Sequence, residues 1–138
     1  MLRKLLFILS AAFVLSSCSS TALDGDWDPM KWNAEQKLTS DNGAYIIPAD
    51  GETITFVCKN YSKPWMSEAN VNGKYFFPDY EANDYKSVTG DWFAASIQDN
   101  RLSVTFTENT AAERSVAITV TAGDIFYTFK FRQKASSH

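Results

Sequence analysis

The sequence predicts an all-β domain in which two antiparallel sheets pack face to face as a β-sandwich. Short segments with strict apolar–polar alternation recur along the chain, and clusters of Gly, Asp and Asn separate them. No segment has the apolar spacing of an amphipathic helix. Alternation with a period of two places the apolar residues on one face of each strand. Two sheets with one apolar face each must cover one another, which gives a sandwich.

The predicted strands follow one another along the chain with short turns between them. Pro48 ends the first of them, because proline has no N–H to donate to a neighbouring strand. Turn-forming Gly, Asp and Asn residues separate several of the later ones. In order, the predicted elements are an extended segment at 45–47, a turn at 49–52, strands at 53–59 and 92–97, a turn at 98–101, a strand at 102–107, a polar loop at 108–113, a strand at 116–121, a turn at 122–124 and a strand at 125–132. We expect about seven strands in all.

Cys58 shares one predicted strand face with Ile54 and Phe56. A free cysteine among apolar residues behaves as a small hydrophobe, so we expect Cys58 to be buried rather than reactive. A nucleophilic cysteine would need a histidine partner, and the one histidine of the chain is His138. The scarcity of histidine also disfavours zinc sites and Ser-His-Asp arrangements. The sequence therefore predicts a protein that is not an enzyme, with no metal and no cofactor.

The segment 69–88 is the least regular and most aromatic part of the chain. It carries five aromatic residues among Asn, Asp, Gly and Pro, and Pro78 excludes a central strand there. We expect Phe76 and Phe77 to anchor this insertion to the sandwich. An irregular segment cannot bury all its rings, so the others are candidates for a ligand-binding surface. The candidate ligand-binding residues are Tyr75, Tyr80, Tyr85, Asp79, Asn83 and Asp84.

Trp65 and Trp92 have two interpretations. Sugars present apolar C–H faces that pack on exposed rings, so either tryptophan could be a sugar-stacking platform. In a sandwich, however, a tryptophan on an inner strand fills the core. We expect both tryptophans to be core residues.

The N-terminal residues are typical of an exported protein. Arg3 and Lys4 precede an apolar run at 5–15, and Ser16, Ser17 and Cys18 follow it. This order of charge, apolar core and small residues is that of a secretory signal peptide. The apolar run is shorter than the roughly 20 residues of a transmembrane helix. The small residues ending in Cys18 resemble a bacterial lipobox, in which the cysteine is lipidated and the chain is cut before it.

This resemblance predicts a signal peptide at 1–17 and a lipidated tether at 18–35, and the β pattern that begins at residue 36 predicts a sandwich domain at 36–138. A chain with two or more acyl groups is held to a membrane almost permanently. Serine rather than aspartate follows Cys18, and acidic residues follow in the tether, which favours the outer membrane and its cell-surface side. Trp27 and Trp32 flank a short turn, and we expect them to cap the domain. An exposed contact for a partner is the alternative for these two rings.

The charge of the chain disfavours nucleic acid as a partner. Without Arg3 and Lys4, 11 basic residues face 16 acidic residues, a formal charge of −5. A mildly acidic surface has no electrostatic attraction for phosphates. Asp79 and Glu81 are two nearby carboxylates of the kind that glycoside hydrolysis requires. Nothing in the sequence fixes their geometry, so they do not alter the non-catalytic prediction.

The C-terminal half resembles the BACON domain, an immunoglobulin-like module of Bacteroidetes. The resemblance covers residues 50–68 and 90–134, and Trp65 matches an earlier tryptophan of the pattern. Its other elements are Gly90-Asp91-Trp92-Phe93, the strand at 102–107, Glu108-Asn109-Thr110, Glu113-Arg114-Ser115, the strand and turn at 117–124, and Gln133. The insertion at 69–89 is longer than the connection usual in that family. The resemblance implies an immunoglobulin-like sandwich and a carbohydrate-binding role.

Two functional hypotheses follow. The first is an outer-membrane lipoprotein that acts as a non-catalytic binding module for a host or dietary glycan. The alternative is a structural or protein-interaction lipoprotein that serves as a spacer or docking domain in an envelope complex. The first predicts exposed rings on the insertion, and the second predicts protein binding through a free sheet edge or through Trp27 and Trp32.

Overall fold

The computed structural model describes residues 28–82 and 84–136, and this part of the chain contains strands and no helix. The signal peptide, Cys18, Trp27, Asn83 and His138 lie outside the described residues, so their predicted roles stay predictions. Eleven strands make up the described chain, in order β1 Trp32–Ala34, β2 Ser40–Asp41, β3 Ala44–Ile47, β4 Glu52–Cys58, β5 Trp65–Val71, β6 Lys74–Phe76, β7 Ser87–Thr89, β8 Phe93–Gln98, β9 Arg101–Phe106, β10 Arg114–Ala122 and β11 Ile125–Gln133.

The strands form two sheets, which confirms the all-β sandwich. One sheet has the order β1-β4-β9-β8-β7 and the other has the order β2-β3-β11-β10-β5-β6. The neighbours β1-β4-β9-β8 and β11-β10-β5 reproduce the two sheets of an immunoglobulin domain, ABED and GFC. The expected count of about seven strands is too low. The additional strands include short edge strands of two or three residues, too short to show alternation in the sequence.

One strand pair departs from the predicted antiparallel arrangement. Among the described strands β3 runs parallel to β11, with Tyr45 opposite Phe131 and Ile47 opposite Gln133. Parallel strands need a long connection between them, and here almost the whole domain supplies it. This pairing joins the N-terminal part of the domain to its last described strand.

The core lies between the two sheets and takes residues from alternate positions of the long strands. In β8, for example, buried and exposed residues alternate strictly. Phe56 is fully buried, with ring centroids 5.3 Å from Tyr45 and 4.7 Å from Phe129. Cys58 is buried and free, which confirms its predicted role as a small hydrophobe. Its Sγ lies 3.6 Å from Oδ1 of Asn60.

The domain begins earlier than the predicted boundary at residue 36. Met30 is buried, and β1 pairs with β4 so that Trp32 lies opposite Cys58. The Trp32 ring packs edge-on against Phe129 at 5.2 Å, which confirms that it covers the end of the core. The prediction of a tether up to residue 35 is therefore wrong. Three residues of edge strand carry too short a pattern to be recognised in a sequence.

A buried polar cluster joins the loop before β10 to the last strand. Gln133 is fully buried, and its Nε2 donates to the carbonyl oxygens of Thr107 at 2.8 Å and Pro48 at 3.1 Å. Its Oε1 accepts a hydrogen bond from Nε of Arg114 at 2.8 Å. The Arg114 guanidinium lies 4.4 Å from the centre of the Trp92 ring, and burial lowers its pKa from the ordinary value. Arg114 also donates to the carbonyl oxygens of Thr107 and Glu108, each at 3.2 Å, and therefore clamps the loop before β10.

Asn109 supports the loop between β9 and β10. Its buried Nδ2 donates to the carbonyl oxygens of Ala112 and Lys134, each at 2.9 Å, and its Oδ1 accepts from the N–H of Ala111 at 3.1 Å. An asparagine that bonds its own loop in this way fixes the loop conformation.

Gly51 occupies a position that an L-residue cannot take without strain. Its φ is +86°, and a Cβ there would overlap the carbonyl oxygen of Phe106 and lie 2.9 Å from the carbonyl carbon of Thr107. Gly43 has φ +81° with no atom within 4 Å of such a Cβ. Both alanine substitutions force an L-residue into a left-handed backbone conformation, which costs free energy. Only Gly51→Ala also makes the new Cβ overlap backbone atoms. We expect Gly51→Ala to destabilise the domain by about 2 kcal/mol more than Gly43→Ala, since overpacking has that scale.

Chemical denaturation of the two variants measures this difference. Equal free energies of unfolding would show that the β3–β4 connection moves away from β9 without penalty.

Candidate functional site

The β5–β6 hairpin sets the direction of the insertion's first rings. Its turn at Asn72 and Gly73 has positive φ at both residues, 53° and 91°, as tight hairpins require. Successive side chains of a strand point to opposite faces. Phe76 accordingly points inward and meets Phe93 edge-on at 5.7 Å, while Tyr75 and Phe77 are exposed. The predicted anchoring role is confirmed for Phe76. It is wrong for Phe77, because the Phe77 side chain points to the solvent side and not to the core.

Four exposed rings follow one another along the insertion, and we call this row the aromatic ridge. Its members are Tyr75, Phe77, Tyr80 and Tyr85, each between 39% and 53% exposed. The ring centroids of Tyr75 and Phe77 lie 6.1 Å apart with an angle of 13° between the planes. Phe77 lies 6.2 Å from Tyr80, and Tyr80 lies 5.5 Å from Tyr85. The fold thus brings together all three tyrosines predicted from the sequence and adds Phe77 to them.

The two predicted aspartates shape the loop that carries the ridge. Oδ1 of Asp79 accepts a hydrogen bond from the N–H of Ala82 at 3.2 Å. The carboxylate of Asp84 accepts from the N–H of Lys86 at 2.9 Å and from the Ser87 hydroxyl at 3.2 Å. Aspartates that bond backbone N–H groups a few residues ahead fix turn conformations. Asp79 and Asp84 therefore hold Tyr80 and Tyr85 in position.

A concave site of about 550 Å³ lies at the Tyr85 end of the ridge. Its apolar lining comes from Pro64, Trp65, Tyr85 and Ile97, and its polar lining comes from Lys63, Lys86, Gln98 and Asp99. Two backbone hydrogen bonds position these residues where the edges of the two sheets meet. Met66 donates to the carbonyl oxygen of Tyr85, and Ile97 donates to that of Lys86, both at 2.7 Å.

Trp65 is a surface residue of this site, so its predicted place in the core is wrong. It is 40% exposed, whereas its neighbour Met66 is 1% exposed. Trp65 is the first residue of β5, and the pairing of β5 with β10 shifts register between Thr119 and Val120. Such an irregularity re-aims the side chains beside it, and the sequence does not show it. Trp92 meets the prediction only in part, since it is half-buried at the border of the core and packs against Phe93 and Phe106 with centroids at 5.4 and 6.2 Å.

The described residues contain no group of three side chains suited to hold a metal ion. A helix long and apolar enough to cross a membrane is also absent from residues 28–82 and 84–136.

Comparison with known proteins identifies a similar solved structure. No family model and no curated protein matches the chain. Among solved structures, a protein from Bacteroides thetaiotaomicron determined by NMR is similar, with 37% sequence identity and a TM-score of 0.68. The similarity covers 84% of this chain and 95% of that chain. The chain therefore belongs to the same family as this Bacteroides thetaiotaomicron protein.

Proposed function

We propose that this chain is a lipid-anchored, non-catalytic binding module of the cell surface that recognises carbohydrate. The aromatic ridge carries the proposal. Soluble proteins rarely expose a large contiguous apolar patch, and large patches commonly mark interaction sites. Four rings in a row, with polar side chains beside them, match the apolar faces and the hydroxyl groups of successive sugar units.

The sequence supports the cellular placement in this proposal. The apolar run before Cys18 and the small residues around it favour lipidation of Cys18 and attachment to the outer membrane. The membrane would then be a partner through the lipid alone, and the sandwich would project from it.

The resemblance to the BACON domain supports the carbohydrate-binding role. Asn109, Arg114 and Gln133 are among the residues that carry this resemblance, and in the fold they connect the same loops. The strand order agrees with the immunoglobulin-like sandwich that the resemblance implies.

A glycan screen tests the proposal. The full chain, kept in mild detergent, is screened for binding to mucin and to host and plant polysaccharides beside a Tyr75→Ala/Tyr80→Ala/Tyr85→Ala variant. We expect at least one glycan to bind the parent chain and to bind the variant at least about tenfold more weakly, since each ring contributes a fraction of the energy.

Phe126→Ala is the matched control, because Phe126 is 60% exposed on β11 and lies outside the ridge. It should bind as the parent chain does. Circular dichroism must show that every variant keeps its fold, as surface substitutions usually do. Binding that survives in the folded triple variant would exclude the ridge as the site. Failure of the whole panel would contradict carbohydrate binding and favour the protein-interaction lipoprotein.

A further inference from the structure

We propose that the concave site between Trp65 and Tyr85 binds an acidic sugar, one that carries a carboxylate or a sulfate group. This inference rests on the proposed function and extends it, because it assigns a ligand class to a site that adjoins the aromatic ridge. The site combines an apolar lining with two lysines, and these two parts have different roles.

The apolar lining suits the ring of a single sugar. Pro64 and Ile97 are buried and form the inner part of the site, while Trp65 and Tyr85 are 40% and 39% exposed. Binding sites for small molecules are concave and mostly apolar, with a few polar groups that set orientation. A volume of about 550 Å³ falls within the usual range for such sites.

The polar lining is positive, although the domain as a whole is acidic. Lys63 and Lys86 face one carboxylate, that of Asp99, whereas the whole chain has 13 basic against 16 acidic residues. Within the described part of the chain, neither lysine forms an ion pair, while Lys74, Arg101 and Arg132 each do. Two ammonium groups that outnumber the one carboxylate beside an apolar recess are complementary to an anionic ligand.

Asp99 and Gln98 complete the chemistry expected of a sugar site. They follow one another at the β8–β9 turn, where Asp99 has a positive φ of 55°. Their side chains can accept or donate hydrogen bonds to hydroxyl groups. The lysines then select the charged substituent, the rings pack on the C–H face, and the turn recognises hydroxyls.

The Tyr85 ring connects this site to the ridge, since it lies 5.5 Å from Tyr80 and also lines the recess. A polysaccharide could thus place one acidic unit in the recess and its neighbours along Tyr80 and Phe77. Ridge contacts alone would favour sugars regardless of charge, and the recess supplies the selectivity.

The test compares three probes on the full chain in detergent: dextran, which is neutral, dextran sulfate, which carries sulfate, and polygalacturonate, which carries carboxylate. We expect one or both anionic polymers to bind at least about tenfold more tightly than dextran, through charge-assisted contacts. Rising salt should weaken this binding, since it screens exposed charges. Sulfate and carboxylate are distinguished by which polymer is preferred.

A Lys63→Gln/Lys86→Gln variant should lose the preference, with about tenfold weaker binding to the favoured anionic polymer. A Lys31→Gln/Lys37→Gln variant is the matched control, because it changes the net charge equally at exposed lysines that do not line the site. An equal loss in both variants would show a nonspecific charge effect and overturn the inference. Equal binding of dextran and the anionic polymers would overturn it too, while leaving carbohydrate binding intact. Binding of no polysaccharide at all would remove both proposals.

Discussion

Replacing Phe56 with alanine is expected to lower the free energy of unfolding by about 3–5 kcal/mol, the range for removing a large aromatic side chain from a packed core. Phe56 has no exposed surface and lies at the centre of an aromatic cluster. Its ring centroid is 4.7 Å from Phe129 and 6.0 Å from Phe131 on the opposite sheet, and 5.3 Å from Tyr45. The substitution therefore removes contacts between the two layers and leaves a cavity that rigid strands cannot close.

Thermal and urea denaturation measure this effect. For a domain of this size, the loss corresponds to a melting temperature lower by about 10–20 °C. Phe126→Ala is the control, because it removes the same atoms from a side chain that is 60% exposed, and its effect should stay within about 0.5 kcal/mol. A loss of less than about 1 kcal/mol for Phe56→Ala would mean that the two sheets do not pack through this ring.

The second large effect is expected at Gln133. Gln133→Leu removes the donor to Thr107 and Pro48 and the acceptor for Arg114, all at a fully buried position. Each buried group that loses a partner costs about 1–3 kcal/mol. The carbonyl oxygens of Thr107 and Pro48 each keep a second hydrogen-bond donor, Arg114 and Gly51 respectively. The total loss of stability is therefore smaller than three full penalties. We expect a total loss of about 3 kcal/mol.

Gln98→Leu is the matched control for this substitution, because Gln98 lies at the exposed end of β8. It should change the free energy of unfolding by less than about 0.5 kcal/mol. Hydrogen exchange gives a second readout, since loss of the Gln133 contacts should speed exchange at Asn109, whose N–H donates to Ala49 beside the same cluster. Similar stabilities of the Gln133→Leu and Gln98→Leu variants would contradict a stabilising role for the buried amide.

The long strands were predictable because their alternation is local. In β8 and β9, and in β10 as far as Val120, the buried residues recur at every second position, which is the pattern that predicted these strands. The parallel pairing of β3 with β11 was not predictable, because it depends on which strand lies beside a three-residue segment about 85 positions away. Edge strand β1 was not predictable for a different reason, since three residues carry almost no periodic signal.

The sequence predicts the tyrosines of the candidate site, but not the other residues that the fold places beside them. The tyrosines were identified because an irregular aromatic segment cannot bury every ring. The sequence pattern does not separate Phe77 from Phe76, but β6 ends at Phe76 and the Phe77 ring is exposed beside Tyr75. The signal available in the sequence is that Tyr75 and Phe77 are two positions apart, as are side chains on one face of a strand. Trp65, Lys63 and Lys86 converge only through the packing of β5 against the 77–86 loop and β8, which no local pattern reveals.

The position of β11 determines when the domain can fold. This last described strand lies inside its sheet, between β3 and β10, and it contributes Phe129 and Phe131 to the core. A chain that emerges from a ribosome or a translocation channel N-terminus first does not have both rings until residue 131 is free. Proteins dominated by such distant contacts fold in milliseconds to seconds rather than microseconds. The nascent chain therefore stays open to chaperones and proteases until β11 has emerged, and truncation before β11 removes the fold rather than trimming it.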